Sequence, residues 1–310
     1  MDLSGIPYAE LRFDKDGKVV SRDEQNAVLT LAAQPEVTDL IVLAHGWNNE
    51  MEEARALYRT LADQLLGPGS TGLGIVGVLW PSKRFTDTDL IPGGAAALAR
   101  NLLNYTTYYT MKQRAGTIGF GGLAPILAKV HTARAGLRLH VIGHSFGGRL
   151  VSAAATGGAD DPALPLSSMV LLQAAFSHFG FAKDWDPGKD GLFRGCLSGH
   201  RVDGPIAVTH TANDRAVGIA YALASRIAGQ IAAALGDASD VYGGIGRNGA
   251  LSTPEALAGE LFDVDRAYSF QPGAVHNLLA DRFIHSHSDV TGPQVGHVLR
   301  SAVTTGIAVS

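Results

Sequence analysis

Gly143-His144-Ser145-Phe146-Gly147 sets a serine between two glycines, after the apolar run Leu137 to Ile142 and before the small, apolar stretch Leu150 to Ala155. A strand turning sharply into a helix at this point would hold Ser145 in strained backbone geometry with its hydroxyl raised above a sheet. A serine hydroxyl is a poor nucleophile at neutral pH, so it needs a histidine to take its proton and an acid to orient that histidine. In a doubly wound sheet carrying such a turn, the acid and then the histidine follow the serine on loops at the carboxyl edge. Asp214 occupies the acid position, four residues after the apolar run Ile206 to His210 and before a helix expected near Val217. The same place suits an aspartate that only caps that helix. Asp184, Asp186 and Asp190 are rival acids, with Asp184 the second choice. Their run lacks the alternating ligands and closing glutamate of a calcium loop, so it reads as a solvated surface loop, and no metal site is expected. Chain order leaves His276, His285, His287 and His297 as candidate bases. His297 falls in a closing helix and His276 reads as a loop hydrogen-bonder, which leaves His285 and His287 in the loop ahead of Thr291-Gly292-Pro293.

Attack on an acyl carbonyl places negative charge on its oxygen, so backbone N–H donors must already point there. His45-Gly46-Trp47-Asn48-Asn49 follows the buried-strand pattern Leu40 to Ala44, and Gly46 would let the backbone bend close to a substrate. The amides of Trp47 and Phe146 are the expected oxyanion donors, and His45, Gly46 and His144 are expected to border the substrate. The plainer alternative is a strand-ending turn with Trp47 packed in the core.

These residues need a sheet to place them. Short apolar runs at 39–44, 74–80, 137–142, 167–174 and 205–210 alternate with helical stretches at 50–66, 146–156 and 216–235. That alternation predicts a doubly wound, mostly parallel sheet covered on both faces. At the start, 8–13 and 18–20 flank Asp14-Lys15-Asp16-Gly17, which predicts an antiparallel hairpin. The segment 82–134 is long for a crossover and carries Tyr105, Tyr108 and Tyr109 beside glycine-rich 116–122. It reads equally as a cap whose aromatics wall a substrate site and as a crossover with an extra helix. A glycine-rich stretch at 243–253 reads as a mobile loop.

The chain of 310 residues is 46% hydrophobic and 17% charged, enough for a large core in one domain spanning 1–310. A net charge of −4 lacks the basic surplus of a nucleic-acid binder. The single cysteine, Cys196, excludes an intrachain disulfide and a cysteine-based zinc cluster. No basic-then-apolar leader and no bilayer-length apolar run is present, so a cytoplasmic protein without stable membrane insertion is expected.

In this order, Leu43-Ala44-His45-Gly46-Trp47, Gly143-His144-Ser145-Phe146-Gly147-Gly148, Asn213-Asp214 and His287-Ser288-Asp289 resemble the α/β-hydrolase superfamily over nearly the whole chain. Within it the chain looks like bacterial esterase- or lipase-like serine hydrolases with a His-Gly-Trp oxyanion segment and a closing His-Ser-Asp motif. The resemblance implies His287 as the catalytic base, an acyl-enzyme on Ser145, a small-molecule acyl ester as substrate and no cofactor. An acyltransferase or thioesterase would use the same triad. A silent hydrolase fold kept for binding is the reading from another class.

Overall fold

The computed structural model describes residues 2–46, 51–67, 70–82, 108–158, 164–214, 216–217 and 243–305. Among them nine strands form one sheet in the order β1-β2-β4-β3-β5-β6-β7-β9-β8. The strands are β1 (Asp2–Leu3), β2 (Ile6–Arg12), β3 (Asp39–Ala44), β4 (Leu73–Leu79), β5 (Arg138–His144), β6 (Ser168–Leu172), β7 (Ile206–His210), β8 (Ala256–Glu260) and β9 (Val275–Leu279). Only β1 and β2 pair antiparallel. From β2 to β8 every neighbouring pair is parallel.

Parallel strands need crossovers, and the crossover helices cover both faces. Alternate residues of β3 accordingly serve two cores. Leu40 and Val42 join Val76, Val141 and Leu171 beneath the helices Arg22–Ala33, Ala124–Ala133 and Phe146–Thr156. Ile41 and Leu43 join Ile75, Ile142 and Val170 beneath Met51–Leu65 and Pro293–Thr304. Because both faces are covered, the central strands read in sequence as continuous apolar runs.

The antiparallel pair lies one step earlier than the hairpin expected at 8–13 and 18–20. The turn at Asp14 to Gly17 is present, with the Asp14 amide donating to the Lys18 carbonyl at 2.8 Å. Beyond it pairing stops at the single bridge Phe13–Val19, because Ser21 at once caps the helix Arg22–Ala33. β2 instead lies parallel to β4.

Of the segment 82–134, residues 83–107 lie outside the described residues, including Tyr105. From Tyr108 the chain is helical to residue 117, passes through the π-helix Ile118–Leu123 and continues as Ala124–Ala133. Met111, Ala115, Ile118, Leu127 and Val130 are buried in the sheet's core, as a crossover requires. Gly119 and Gly122 serve close packing. A Cβ on Gly119 would strike the Leu150 carbonyl and the Ala153 side chain, so the π-helix can cross Phe146–Thr156 only with glycine there.

The stretch 243–253 is likewise built into the core. It forms a turn of helix, Ile245–Asn248, in which Ile245 and Gly246 are buried. A Cβ on Gly246 would meet the backbone of Gln173 at 2.6 Å, so its glycine richness reflects contact with the sheet. Of the stretch 216–235 expected to be helical, residues 216 and 217 are helical and 218–235 lie outside the described residues.

Candidate active site

The carboxyl ends of β3, β5, β7 and β9 deliver four loops to one place, the edge where parallel α/β sheets carry their sites. Ser145 is the first residue beyond β5 and stands at φ 56° and ψ −123°, a conformation that costs a non-glycine residue about 1–3 kcal/mol. The surroundings hold it there. Its amide donates to Leu172 at 3.1 Å, and its carbonyl accepts from Gly148 at 3.0 Å and Ala175 at 2.9 Å. A Cβ on Gly147 would overlap the Ala44 carbonyl oxygen, so glycine is what lets the helix start so close to β3.

His287 Nε2 lies 2.8 Å from Ser145 Oγ, and His287 Nδ1 lies 2.8 Å from Asp214 Oδ2. A carboxylate only accepts, so Nδ1 carries the proton toward Asp214 and Nε2 is left to accept from the serine hydroxyl. Ser145 and Asp214 are buried, and the His287 side chain is 21% exposed. Each carboxylate oxygen of Asp214 has its own partner. Its Oδ1 accepts the Val217 amide at 3.0 Å as a helix cap, while Oδ2 faces His287.

The acid and base loops are braced to each other. Asp281 Oδ1 accepts from the Thr211 hydroxyl at 2.6 Å and from the Ala212 amide at 2.9 Å. Asn213 Nδ2 donates to the carbonyls of Asp281 at 3.1 Å and Ile284 at 3.0 Å. Behind the nucleophile, Gln173 sits at φ 44° and accepts from the Thr209 hydroxyl at 2.7 Å. Sequence reasoning missed Thr211, Gln173 and Asp281, since single polar residues beside strands carry no pattern. The one signal available in the sequence is that three of the four residues from Thr211 to Asp214 are polar.

His144 donates from Nε2 to the His287 carbonyl at 2.9 Å. Its Nδ1 is buried without a hydrogen-bond partner, and burial, then the neighbouring His287, push its pKa down to about 3. His45 is wholly buried. Its Nε2 accepts the Trp80 amide at 3.3 Å and its Nδ1 donates to the Gly46 carbonyl at 2.9 Å, while its own amide donates to the Tyr58 hydroxyl at 2.9 Å. Burial pushes its pKa down to about 4. Both ring nitrogens of His45 therefore bond within the protein, one to the loop's own backbone and one to Trp80.

Gly46 does approach the nucleophile: a Cβ there would stand 2.7 Å from Ser145 Cβ and 3.3 Å from Oγ. Trp47 lies outside the described residues. Phe146, the other expected oxyanion donor, opens the helix, where amides have no acceptor within the helix itself. Its ring packs on Tyr108 at 5.1 Å.

The other candidates fall elsewhere. Asp184 closes a surface loop, accepting the Gly188 amide at 2.6 Å, and does not meet a histidine. His285 is exposed, with its amide held by Asp289 at 3.0 Å. His276 lies within β9 rather than after it, where Nε2 accepts the Gln271 amide at 2.9 Å. His297 lies in the last helix and bonds the Arg266 carbonyl at 2.8 Å. Beside the triad, an open cavity of about 550 Å³ is bordered by Asn213, His285, Ser286, His287 and Ser288.

Comparison with protein-family models, with curated proteins and with solved structures returned no match. Among the described residues, no group of three or more His, Cys, Asp or Glu is placed to hold a metal ion, and no helix is long and apolar enough to cross a membrane.

Proposed function

We propose that the chain is a serine hydrolase of the α/β-hydrolase kind that cleaves carboxylic esters through an acyl-enzyme. The observation that carries this reading is the unbroken relay Ser145 Oγ, His287 Nε2, His287 Nδ1 and Asp214 Oδ2, with both links at 2.8 Å and the serine at positive φ. As Ser145 Oγ bonds to the acyl carbon, its proton passes to His287 Nε2, and Asp214 stabilises the resulting imidazolium. His287 then protonates the departing alkoxide, which leaves as the alcohol. Water, losing a proton to His287, attacks the acyl-serine, and the carboxylic acid leaves as Ser145 regains its proton. The Phe146 amide holds the negative oxygen in both tetrahedral stages, and Trp47 is the second donor that the order of motifs in the sequence offers.

A fluorophosphonate probe tests the nucleophile directly. Labelling of the folded chain at Ser145, lost in Ser145→Ala, accompanied by hydrolysis of p-nitrophenyl esters, is the expected result. An unlabelled serine in folded protein would overturn the enzyme reading. Labelling with preferential turnover of acyl-CoA, or with acyl transfer to added alcohols, would redirect the substrate within the same chemistry.

A further inference from the structure

We propose that β8 is the interface of a twofold dimer, in which its outer edge pairs antiparallel with β8 of a second copy and joins the two sheets. Among the described residues β8 ends the sheet, and β9 is its one strand neighbour. The opposite end closes on β1, a strand of two residues that offers little to pair with.

In a parallel pair, alternate residues turn both of their main-chain groups toward the neighbouring strand. The Glu255 carbonyl accepts the Val275 amide at 3.0 Å and the Leu261 amide donates to the Leu279 carbonyl at 2.9 Å, so Glu255, Leu257, Gly259 and Leu261 face β9. Ala256, Ala258 and Glu260 therefore turn their main-chain groups outward. The Ala256 amide is spent on the Thr253 carbonyl at 3.0 Å. The Ala256 carbonyl and both main-chain groups of Ala258 and Glu260 point where an added strand would lie.

Such an edge is a template for another strand, and sheet proteins guard it with lysine, proline or a bulge within the strand. β8 carries none of these: Ala-Leu-Ala-Gly-Glu runs in unbroken register with β9 and is exposed from Leu257 on. Apolar surface gathers around it. Of the six exposed large apolar side chains among the described residues, three belong to β8, β9 and the loop after β8, namely Leu257, Leu279 and Val264. Leu257 and Leu279 stand on opposite faces of the sheet, so the edge offers a leucine on each side.

The occupant follows from how the strand complements itself. Of the three outward residues, Ala256 lacks a free amide for a twofold axis, and Glu260 on the axis would set two carboxylates directly opposite each other, which is repulsive. Ala258 on the axis meets neither obstacle. Each Ala258 amide then donates to the Ala258 carbonyl of the other copy, and each Glu260 amide donates to the Ala256 carbonyl of the other copy. The flanking pairs are of the closely spaced kind, and there Leu257 faces Gly259 of the second copy, which has no side chain to crowd it. The one charge of each strand, Glu260, faces an alanine. A pairing that uses the same edge on both copies closes on itself at two chains.

The interface makes no use of the triad and stands or falls separately from the proposed hydrolysis. Sedimentation velocity of the full chain, combined with disulfide capture, tests it. At micromolar concentration the parent should sediment at twice the chain mass. Gly259→Lys should raise the dissociation constant about tenfold or more. It should keep the parent's circular dichroism, because a Cβ on Gly259 meets only the Asn277 carbonyl and the Leu278 side chain at an ordinary 3.5 Å. Ala258→Cys should give a covalent dimer on mild oxidation, since its Cα atoms would lie about 5.5 Å apart across the axis. Leu257→Cys should not, its twin being staggered by two residues and beyond disulfide reach. Cys196 is buried and leaves the capture clean. Should Gly259→Lys not fold, the two cysteine variants decide. A parent that stays monomeric, association unchanged in folded Gly259→Lys, or capture through Leu257→Cys in place of Ala258→Cys would overturn the interface.

Discussion

His144 Nε2 donates to the main-chain carbonyl of His287 across 2.9 Å, so the residue before Ser145 is bonded to the backbone of the histidine whose ring faces Ser145. The distance between Ser145 and His287 is thereby set from both sides. His144→Phe should lower kcat about tenfold or more with KM nearly unchanged, because a looser base costs transition-state contact rather than binding. His144→Gln, which can still donate near the Nε2 position, should recover most of the loss. Equal activity in the two variants would show that the bond has no part in turnover.

The parallel sheet and three of the four loops at its edge were legible because their signals are local. An apolar run ending in Gly-x-Ser-x-Gly, or in Thr-Ala-Asn-Asp, marks a strand and the loop after it by neighbours in sequence. β8 was not legible: Ala256–Glu260 is exposed along most of its length, and its strand state comes from pairing with β9. Asp281 escaped notice for a similar reason, since its partners Thr211 and Ala212 lie some seventy residues away. The glycines at 119 and 246 misled because composition cannot distinguish a glycine needed for turning from one needed for close approach.

Asp214 carries two loads that substitution can separate. Asp214→Ala should lower kcat by about three to four orders of magnitude and also cost about 1 kcal/mol through the lost cap on Val217. Asp214→Asn should keep most of the cap while losing the charge, so its denaturation midpoint should stay closer to that of the parent. Asp184→Ala should leave kcat within about twofold, its carboxylate being confined to a surface turn. Steady-state kinetics with urea titration checks all three, and a crippled Asp184→Ala would exchange the assignments.

Gly46→Ala should abolish turnover with little change in fold. The added methyl would be driven against Ser145 Cβ, at 2.7 Å, and toward Oγ, at 3.3 Å. Fluorophosphonate labelling should slow by about a hundredfold or more as the serine or the loop is displaced. Unaltered labelling would mean that the loop yields freely and does not shape the site.

The Asp281 brace should matter to rate more than to stability. Asp281→Ala removes the acceptor for Thr211 and Ala212 and frees the acid loop from the base loop. A loss of about tenfold in kcat is expected, as for other groups that support catalytic residues from behind. Turnover equal to the parent would place the rigidity of the site elsewhere.

Acid should destabilise the fold from below about pH 6.5. His45 and His144 are held neutral when folded, at about 4 and about 3, and regain ordinary values when unfolded. Between those limits the unfolded chain binds more protons, so stability falls with falling pH by about 1.4 kcal/mol per unit for each histidine. Burial opposes the Asp39 charge, yet hydrogen bonds from His140, Arg138 and Thr38 keep its carboxyl well below the usual range. Its contribution is present above the unfolded carboxylate value and is lost in turn below it. Urea midpoints at pH 7 and pH 5 should differ clearly, and a flat profile would refute the neutral histidines.

The register of the central strands acts as a ruler for the chemistry. Ala44 pairs with Gly143, His144 with Leu172, and Leu172 with Thr209, so three loops leave the sheet from one fixed line. One residue gained or lost inside β5 or β7 would shift its loop by about 3.3 Å, more than the whole length of either link in the relay. Changes of chain length can thus accumulate where strands enter the sheet, while the interior of β5 and β7 admits only exchange of one side chain for another.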